Sequence, residues 1–275
     1  MKASELILNP DGSLYHLNLL PGDIAHNIIF VGDQDRVPLV SKYFDTIEIK
    51  KNKREFVTHT GRIGNKRITV ISTGIGTDNI DIVMNELDAL VNIDLENRTI
   101  HPNPTSLHIF RIGTSGSIHP QVKAGDIVVS SLAIGFDTLG AYYNAEKMHH
   151  LLLPEWCYVT KRHDFDLSRF GTQYTEGITL TCPGFYAPQG RMLRLPINNK
   201  ISFDQFHSLQ KDGFQITNME METAGIYLLA SFFGHRAISF NAILAERLSG
   251  EFTKDPEIII NKLIEHTLHW ITDLP

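Results

Sequence analysis

The chain lacks the features that mark several large classes of protein. Its two cysteines, Cys157 and Cys182, are too few for a disulfide framework and do not stand at a metal-binding spacing. No run of about 20 apolar residues is present that would span a membrane, and residues 1–12 show no signal-peptide pattern. We therefore expect a reduced, soluble protein of the cytoplasm.

The chain also lacks a large excess of charge of either sign. The 25 lysines and arginines against 31 acidic residues give a net charge of −6, and no basic block is present. This balance argues against a dedicated binder of nucleic acids or membrane surfaces. The chain also has no Ser-His-Asp or Cys-His arrangement, no HExxH helix, no Walker loop and no complete dinucleotide-binding fingerprint.

What the chain does have is a regular alternation of strand-like and helix-like segments. Its 275 residues, 42% of them hydrophobic, suit one large domain with a sizeable core, residues 1–275. The alternation predicts an α/β layer fold with a largely parallel or mixed sheet. The predicted strands are residues 28–31, 56–62, 67–73, 107–111, 125–134, 178–182 and 236–244. The predicted helices are residues 34–44, 78–91, 202–209 and 220–233, and one that begins at Asp255-Pro256. Residues 135–177 show no clean period.

Residues 107–117 (LHIFRIGTSGS) hold the first candidate for a binding site. An apolar strand leads into Arg111, and a glycine-rich turn is expected at residues 113–116. Glycines let a ligand approach main-chain N–H groups, while Thr114, Ser115 and the guanidinium offer donors to a phosphate-like anion. A structural turn whose arginine pairs with a carboxylate explains the same residues equally well.

Polar residues after other strands favour the anion site. Ligands of open α/β sheets lie beyond the carboxyl ends of the strands. Asp33 and Arg36 follow the first strand, residues 77–79 follow a Gly-Ile-Gly turn, and Arg247 follows a late strand. Taken one at a time, these residues have an ordinary interpretation as the default: Arg36 as a solvated helix residue, Arg54 as part of an exposed basic loop, and His16 as a surface histidine.

Two further segments have both a functional and an ordinary interpretation. Glu220 and Glu222 would point different ways on a helix, and they face one way only if the chain is extended before the helix begins. In a pocket, a carboxylate accepts both hydroxyls of a sugar; otherwise the two are acidic residues at a helix N-terminus. Phe185, Gln189 and Arg191 suit a flat base and its amide edge, or belong to a surface loop.

Taken together, these segments resemble the nucleoside phosphorylase superfamily, and most closely its uridine phosphorylases. The motifs occur in the family's order: GDQDRV, REF, STGIG, RIGTSG, FYAPQGR and EMET. The resemblance implies a single-domain three-layer α/β/α fold with a central mixed twisted sheet. It also implies a pentosyltransferase that reversibly cleaves a pyrimidine nucleoside, with inorganic phosphate as co-substrate and without a cofactor. Uridine, deoxyuridine and thymidine are left open.

The resemblance assigns roles to individual residues. The phosphate ligands would be Gly32, Arg36, Arg54, Arg111 and Thr114. The ribose ligands would be His16, Glu220, Met221 and Glu222. The base would contact Phe185, Gln189, Arg191 and Arg247, and the residues acting on the reacting atoms would be Arg111, Glu222, Gln189 and Arg191. Because His16 and Arg54 match residues donated by a neighbouring subunit, a dimer is the expected active unit, within a hexamer built as a trimer of dimers.

Some positions depart from the family pattern. Asn79 stands where relatives carry a serine that helps a glutamate matching Glu55 to hold a monovalent cation, so that ion is in doubt. Glu246 is unexpected beside Arg247, and we expect the two to pair. The segment LAERLSG lacks the Ser-Asp pair of purine-cleaving relatives. A purine nucleoside phosphorylase, a phosphate-independent nucleosidase and a non-catalytic nucleoside-binding protein remain as alternatives.

Overall fold

The computed structural model describes residues 1–197 and 203–275. Its strands are β1 Asn27–Val31, β2 Thr46–Lys53, β3 Phe56–Ile63, β4 Lys66–Ser72, β5 Ile93–Asp94, β6 Thr99–Ile100, β7 His108–Ser117, β8 Ile127–Gly135, β9 Tyr158–Lys161, β10 Thr175–Thr181, β11 Gln210–Lys211, β12 Phe214–Glu220, β13 Arg236–Glu246 and β14 Glu251–Phe252. Its α-helices are α1 Arg36–Ser41, α2 Thr77–Asn92, α3 Leu139–Tyr142, α4 Thr223–Phe233 and α5 Pro256–Asp273. Short 3-10 helices occupy Pro21–Asp23, Ala187–Gln189 and Phe203–Ser208.

Across the described ranges, twelve strands form one mixed sheet. β13 lies near its centre, parallel to β7 and antiparallel to β8. Beyond β7 the sheet continues through β1 and β4, which are parallel, and ends in the antiparallel strands β3 and β2. On the other side β12 pairs with β10 and also with the end of β7. The strands β7, β13, β8, β10 and β12 therefore close into a ring.

Helices cover both faces of this sheet. On one face α2 and α4 pack with their apolar residues in one buried cluster, which includes Leu87 and Tyr227. On the other face α1 and α5 contribute to a second cluster, in which Trp270 is buried among aromatic residues of the strands. The predicted three-layer α/β/α fold with a central mixed sheet is confirmed.

The helices follow from local sequence signals. In α2, Ile80, Met84 and Leu87 recur at a spacing of three and four residues, and all three are fully buried. α5 begins with a proline in its first turn, where the missing N–H removes no helical bond. α4 ends at Gly234, whose φ of 73° is the left-handed conformation that favours glycine. Among the described residues, no helix is long and apolar enough to cross a membrane.

Several sequence-based boundaries were wrong. The glycine-rich segment expected to turn at residues 113–116 instead continues β7, because Gly113 and Ser115 pair in register with Asn241 and Ile243 of β13. β2 and β12 were not predicted; the basic pattern of β2 resembles a loop, and the end of β12 was assigned to the next helix. Residues 135–177 contain α3, β9 and the start of β10. In the predicted helix 202–209, the described part is a 3-10 helix, and Ser202 lies outside the described residues.

Candidate active site

A cavity of about 680 Å³ opens where several strands of the sheet end. The residues after β1 and β4, the junction between β12 and α4, the second half of β7 and the end of β13 all contribute to its wall. The predicted site residues that line it are Gly32, Arg36, Arg111, Thr114, Phe185, Gln189, Arg191, Glu220, Met221 and Glu222. Glu55 lines it as well, whereas His16, Arg54 and Arg247 do not.

Arg111 is the most constrained of these side chains. It is 5% exposed, and its Nη2 group lies 2.5 Å from a carboxylate oxygen of Glu222 and 3.1 Å from one of Glu220. Its Nη1 group donates a hydrogen bond of 2.9 Å to Oδ1 of Asn241. These contacts fix the guanidinium group at the cavity wall and leave part of its five-donor fork for a ligand.

The two carboxylates decide the charge of this arginine. Burial lowers the pKa of the Arg111 guanidinium, but attraction to Glu220 and Glu222 outweighs burial and raises that pKa above its usual value. Burial and the neighbouring Glu220 carboxylate raise the pKa of Glu222, and Arg111 opposes them. Two buried carboxylates thus share one buried guanidinium, so the arginine is charged at every working pH.

Glu220 and Glu222 face the same side because the chain is extended between them. Glu220 ends β12, and Glu222 is the N-cap of α4 with a φ of −135°. One Glu220 oxygen accepts hydrogen bonds of 2.9 Å from the backbone N–H groups of Glu222 and Thr223, and the other accepts one of 2.6 Å from Thr181. Glu220 therefore anchors the start of α4. Glu222 accepts a bond from the backbone of Gly76 at 2.8 Å and keeps acceptor capacity toward the cavity.

Arg36 faces the same space with far fewer contacts. It stands at the start of α1, is partly buried, and donates one hydrogen bond of 3.3 Å to the backbone oxygen of Ile112. Burial first, and then repulsion from Arg111, lower the pKa of Arg36. An anion bound in the cavity would relieve the repulsion between these two guanidinium groups.

The loop after β10 forms a separate cluster at the cavity. Arg191 lies 3.8 Å from the ring centre of Phe185 and donates to the Gln189 side-chain oxygen at 2.5 Å and to the backbone oxygen of Phe185 at 2.7 Å. Burial, followed by repulsion from Arg247, lowers the pKa of Arg191 to about 10. With its oxygen engaged, Gln189 keeps its amide N–H groups for an acceptor.

Arg247 borders this cluster without lining the cavity. Its Nη2 group donates to the backbone oxygen of Gln189 at 3.3 Å, and its stem packs against Gly116, where an added Cβ would lie 3.2 Å from Arg247 Cγ. The expected pairing with Glu246 is wrong. Glu246 accepts instead from Lys123 at 3.0 Å and from the backbone of Ala124 at 3.1 Å, because its side chain faces the loop before β8.

His16 and Arg54 lie together outside the cavity of their own chain, around Tyr15. The His16 and Tyr15 rings are 4.9 Å apart, and the Arg54 guanidinium lies 5.7 Å from the Tyr15 ring centre. His16 also contacts Glu86 of α2 at 2.6 Å through Nδ1. Arg54 is exposed at the β2–β3 turn with a φ of 56°, a conformation that costs energy for a residue with a side chain.

Glu55 and Asn79 meet beside Gly74. A Cβ added to Gly74 would lie 2.3 Å from Asn79 Nδ2 and 3.0 Å from Glu55 Cγ, so the two side chains are neighbours. Among the described residues, no group of three or more histidine, cysteine, aspartate or glutamate side chains could hold a metal ion. The monovalent cation near Glu55 stays an open prediction.

Sequence reasoning missed several residues of the site. Asn241 contacts Arg111 from the middle of β13, where its hydrophobic neighbours hid it. Ile75, Leu244 and Phe252 line the cavity, and Ile75 and Phe252 are 68% and 64% exposed there. Phe252 belongs to β14, a two-residue strand too short to be recognised from its pattern. The exposure of Ile75 and Phe252 at the cavity mouth is visible only in the structure, so the sequence carried no signal for them.

Residues 27–265 match the family model described as the phosphorylase superfamily, and the chain belongs to that family. It is 31% identical to a uridine phosphorylase of Thermococcus kodakarensis over 249 residues, which cover 90% of this chain and 82% of that protein. It is 27% identical to a DeoD-type purine nucleoside phosphorylase of Bacillus cereus, covering 92% of this chain and 96% of that protein.

Among solved structures, the chain is similar to a nucleoside phosphorylase of Trypanosoma brucei that is described as showing uridine phosphorylase activity. The two share 28% sequence identity with a TM-score of 0.86, and the match covers 98% of this chain and 100% of that one. The predicted resemblance and the predicted enzyme class, a pentosyltransferase of the nucleoside phosphorylase kind, are confirmed.

Proposed function

We propose that this chain catalyses the reversible phosphorolysis of a pyrimidine nucleoside, releasing the free base and (deoxy)ribose 1-phosphate. The observation that carries the proposal is that Arg36, Arg111 and Glu222 share one cavity. Two guanidinium groups suit a phosphate, and a carboxylate beside them suits the hydroxyls of a pentose. Gly32 and Thr114 border the same space and would complete the phosphate ligands.

The reaction follows from these positions. Phosphate held by the arginines attacks C1′ of the pentose while the bond to N1 of the base lengthens, and the sugar acquires oxocarbenium character. The bound anion offsets that positive charge, so no enzyme carboxylate has to act as the nucleophile. Glu222 accepts the sugar hydroxyls and Met221 packs on the ring, while Glu220 acts mainly by holding Arg111 and the start of α4. Gln189 and Arg191 stabilise the departing base as its negative charge grows.

The choice of a pyrimidine is supported by the loop after β10. The aromatic ring of Phe185 and the amide of Gln189 offer a stacking face and donors for a base carbonyl. The Thermococcus uridine phosphorylase and the Trypanosoma nucleoside phosphorylase support uridine as the first substrate to test. Such an activity would serve nucleoside catabolism or pyrimidine salvage.

The charges in the cavity support a contribution from a second subunit. Three arginines line the cavity, and four acidic side chains outweigh them when ionised: Arg36, Arg111 and Arg191 against Asp33, Glu55, Glu220 and Glu222. A phosphate dianion therefore gains little net attraction from one chain alone. Arg54 of a neighbouring subunit would supply the missing cation, and His16 beside it would reach the ribose. The active unit would be a dimer, within a hexamer.

Mixing two inactive variants tests this arrangement. Arg54→Ala disables the residue that a subunit donates, and Glu222→Gln disables the subunit's own cavity. Co-refolded mixtures should recover activity, because hybrid dimers contain one cavity with both groups intact. The molar mass measured by light scattering gives the number of subunits in the assembly. An active monomer, or mixtures as inactive as the separate variants, would exclude a shared site.

The substrate is tested with a panel of uridine, deoxyuridine, thymidine, inosine and adenosine, each assayed with and without phosphate. We expect release of uracil or thymine only when phosphate is present, with (deoxy)ribose 1-phosphate formed in equal amount. Faster cleavage of inosine or adenosine would make the enzyme a purine nucleoside phosphorylase. Release of base without phosphate would make it a nucleosidase, and binding of uridine without cleavage would make it a binding protein.

A further inference from the structure

Each strand of the closed ring contributes a buried polar side chain, and these side chains are hydrogen-bonded in the order of the strands. We call this set the belt. Its members are Arg111 and Ser115 of β7, Asn241 of β13, Ser130 of β8, Thr179 of β10 and Asn218 of β12. All are between 0% and 9% exposed, and both members from β7 line the cavity.

The links of the belt are short and continuous. From Arg111 Nη1 to Asn241 Oδ1 the distance is 2.9 Å, and from Asn241 Nδ2 to the Ser130 hydroxyl it is 3.0 Å. The hydroxyls of Ser130 and Thr179 are 2.6 Å apart. Asn218 then accepts from Thr179 at 2.9 Å through Oδ1 and donates to Ser115 at 2.9 Å through Nδ2. The belt thus begins and ends at the cavity.

Arg111 sets the direction in which the bonds of the belt begin. A guanidinium group only donates, so Asn241 must turn its oxygen to Arg111 and its NH₂ group to Ser130. Ser130 then accepts from Asn241 and donates to Thr179, which donates to Asn218. Hydrogen bonds that all point in the same direction along a chain that starts at a cation polarise, and so strengthen, one another. The last hydroxyl, that of Ser115, is left to donate into the cavity.

Gly113 makes the first link of the belt sterically accessible. In the parallel register Asn241 pairs with Gly113, two residues beyond Arg111, so the arginine must fold forward along its own strand. A Cβ added to Gly113 would lie 1.6 Å from Arg111 Nη1 and 2.4 Å from Arg111 Cζ. The glycine is therefore required by the close approach of the guanidinium group, since its own φ is not in the positive range.

The belt lies on the inner side of the ring. Residues adjacent to its members along the strands, such as Phe240 next to Asn241 and Ile178 next to Thr179, belong to hydrophobic clusters outside the ring. An apolar interior would fill the same space without desolvating polar groups. Polar side chains in every strand of the ring thus indicate a functional reason for the belt, and its only charged member is Arg111.

We propose that the belt presets the orientation of the Arg111 guanidinium toward phosphate, and that Asn241 is the positioning residue. Glu220 and Glu222 hold Nη2, and Asn241 holds Nη1, so the plane of the fork is fixed before phosphate arrives. Without Asn241 the Arg111 guanidinium group can rotate about the contact of its Nη2 with Glu220 and Glu222. Phosphate would then bind a poorly oriented arginine, while nucleoside contacts with Met221 and the loop after β10 stay intact.

The test compares phosphate and nucleoside affinities, and it rests on the proposed phosphorolysis. Asn241→Leu removes the acceptor at similar size, and Ser130→Ala removes the next link with less risk to folding. The matched control is Ser131→Ala. Ser131 is adjacent on the same strand and is also buried, but it donates to Glu176 and is not part of the belt. Thermal unfolding first shows which variants are folded.

We expect Asn241→Leu to raise the KM for phosphate about 10- to 100-fold while the KM for uridine stays within about twofold. Ser130→Ala should raise the phosphate KM by a smaller factor, about threefold or more, and Ser131→Ala should leave it unchanged. If Asn241→Leu does not fold, the proposal is tested by comparing the phosphate KM of Ser130→Ala with that of Ser131→Ala. An unchanged phosphate KM in the folded belt variants, an equal rise in both KM values, or the same effect from Ser131→Ala would overturn the proposal.

Phosphate binding measured without turnover separates this proposal from the proposed function. The stabilisation of each variant by added phosphate, followed by thermal unfolding, yields a dissociation constant that needs no nucleoside. If the wild-type chain binds phosphate but does not cleave uridine, the proposed substrate is wrong and the belt is still tested. If Asn241→Leu binds phosphate as tightly as the wild type, the belt has no positioning role.

Discussion

Arg36 and Arg111 should both be needed for phosphorolysis, but only Arg111 should be needed for stability. The perturbations are Arg36→Met and Arg111→Met, which remove the guanidinium groups and keep most of the aliphatic stem. Arg111 is the shared ion-pair partner of the buried Glu220 and Glu222, whereas Arg36 makes one hydrogen bond of 3.3 Å. The two arginines line the same cavity but have different structural surroundings.

The magnitudes follow from those surroundings. Removing one partner of a buried ion pair leaves an uncompensated charge and costs about 3–5 kcal/mol of unfolding free energy. Arg111→Met should therefore be strongly destabilised. Arg36→Met loses one long hydrogen bond and a repulsion, so its stability should stay within about 1 kcal/mol of the wild type. Each variant should lose a factor of about 10² or more in kcat/KM for phosphate.

The assays are urea unfolding and initial rates of uracil release over a range of phosphate concentrations. Rates of Arg111→Met are measured below its unfolding temperature, so that loss of fold is not mistaken for loss of activity. Near-wild-type turnover in either variant would refute the anion site. Equal destabilisation of the two variants would refute the different roles assigned to Arg36 and Arg111.

Three more outcomes are expected. Glu222→Gln should lower kcat/KM for uridine about 100-fold without raising the KM for phosphate, because it weakens the sugar contact while Glu220 and Asn241 still hold Arg111; a rise confined to the phosphate KM would contradict this. Arg247→Ala should raise the KM for uridine about tenfold and leave thermal stability unchanged, since it loses one bond of 3.3 Å to Gln189; an unaltered KM would remove Arg247 from the base site. His108 should make the fold acid-sensitive: burial, and then its neighbours His26 and Arg236, lower its pKa to about 4. The unfolded chain binds this proton near pH 6.5, so the contribution of His108 to the free energy of unfolding is fully present above that pH. It is lost as the pH falls toward 4, and the loss amounts to about 2 kcal/mol after solvent screening. Urea unfolding of His108→Gln should show a shallower fall than the exposed control His269→Asn, and parallel curves would contradict the assignment.

The sequence predicted what depends on local pattern. Hydrophobic spacing located α2, the β3–β4 hairpin was read from its Gly64-Asn65 turn, and proline after Asp255 marked α5. The extended start of α4 was foreseen only as a condition for Glu220 and Glu222 to face one side, and the structure meets that condition. Polar residues after several strands indicated where the cavity lies, and the resemblance to the nucleoside phosphorylase family assigned the roles of its motif residues.

What the sequence could not predict is pairing between distant residues. Arg111 and Asn241 are 130 positions apart, and Ser115 and Asn218 are 103 positions apart. A lone asparagine or serine within an apolar strand has no local signature, and only the closed ring brings these side chains together. The same reason explains the error at Gly113, which was read as a turn because the fold of the arginine over it is invisible in the one-dimensional pattern.

The most direct test of the central claim is a crystal structure of the chain with phosphate and a non-cleavable uridine analogue. The account predicts phosphate within hydrogen-bond distance of both Arg36 and Arg111, with the pentose hydroxyls on Glu222 and the base beside Gln189. Phosphate bound elsewhere, or a nucleoside seated with its sugar away from Glu222, would contradict it.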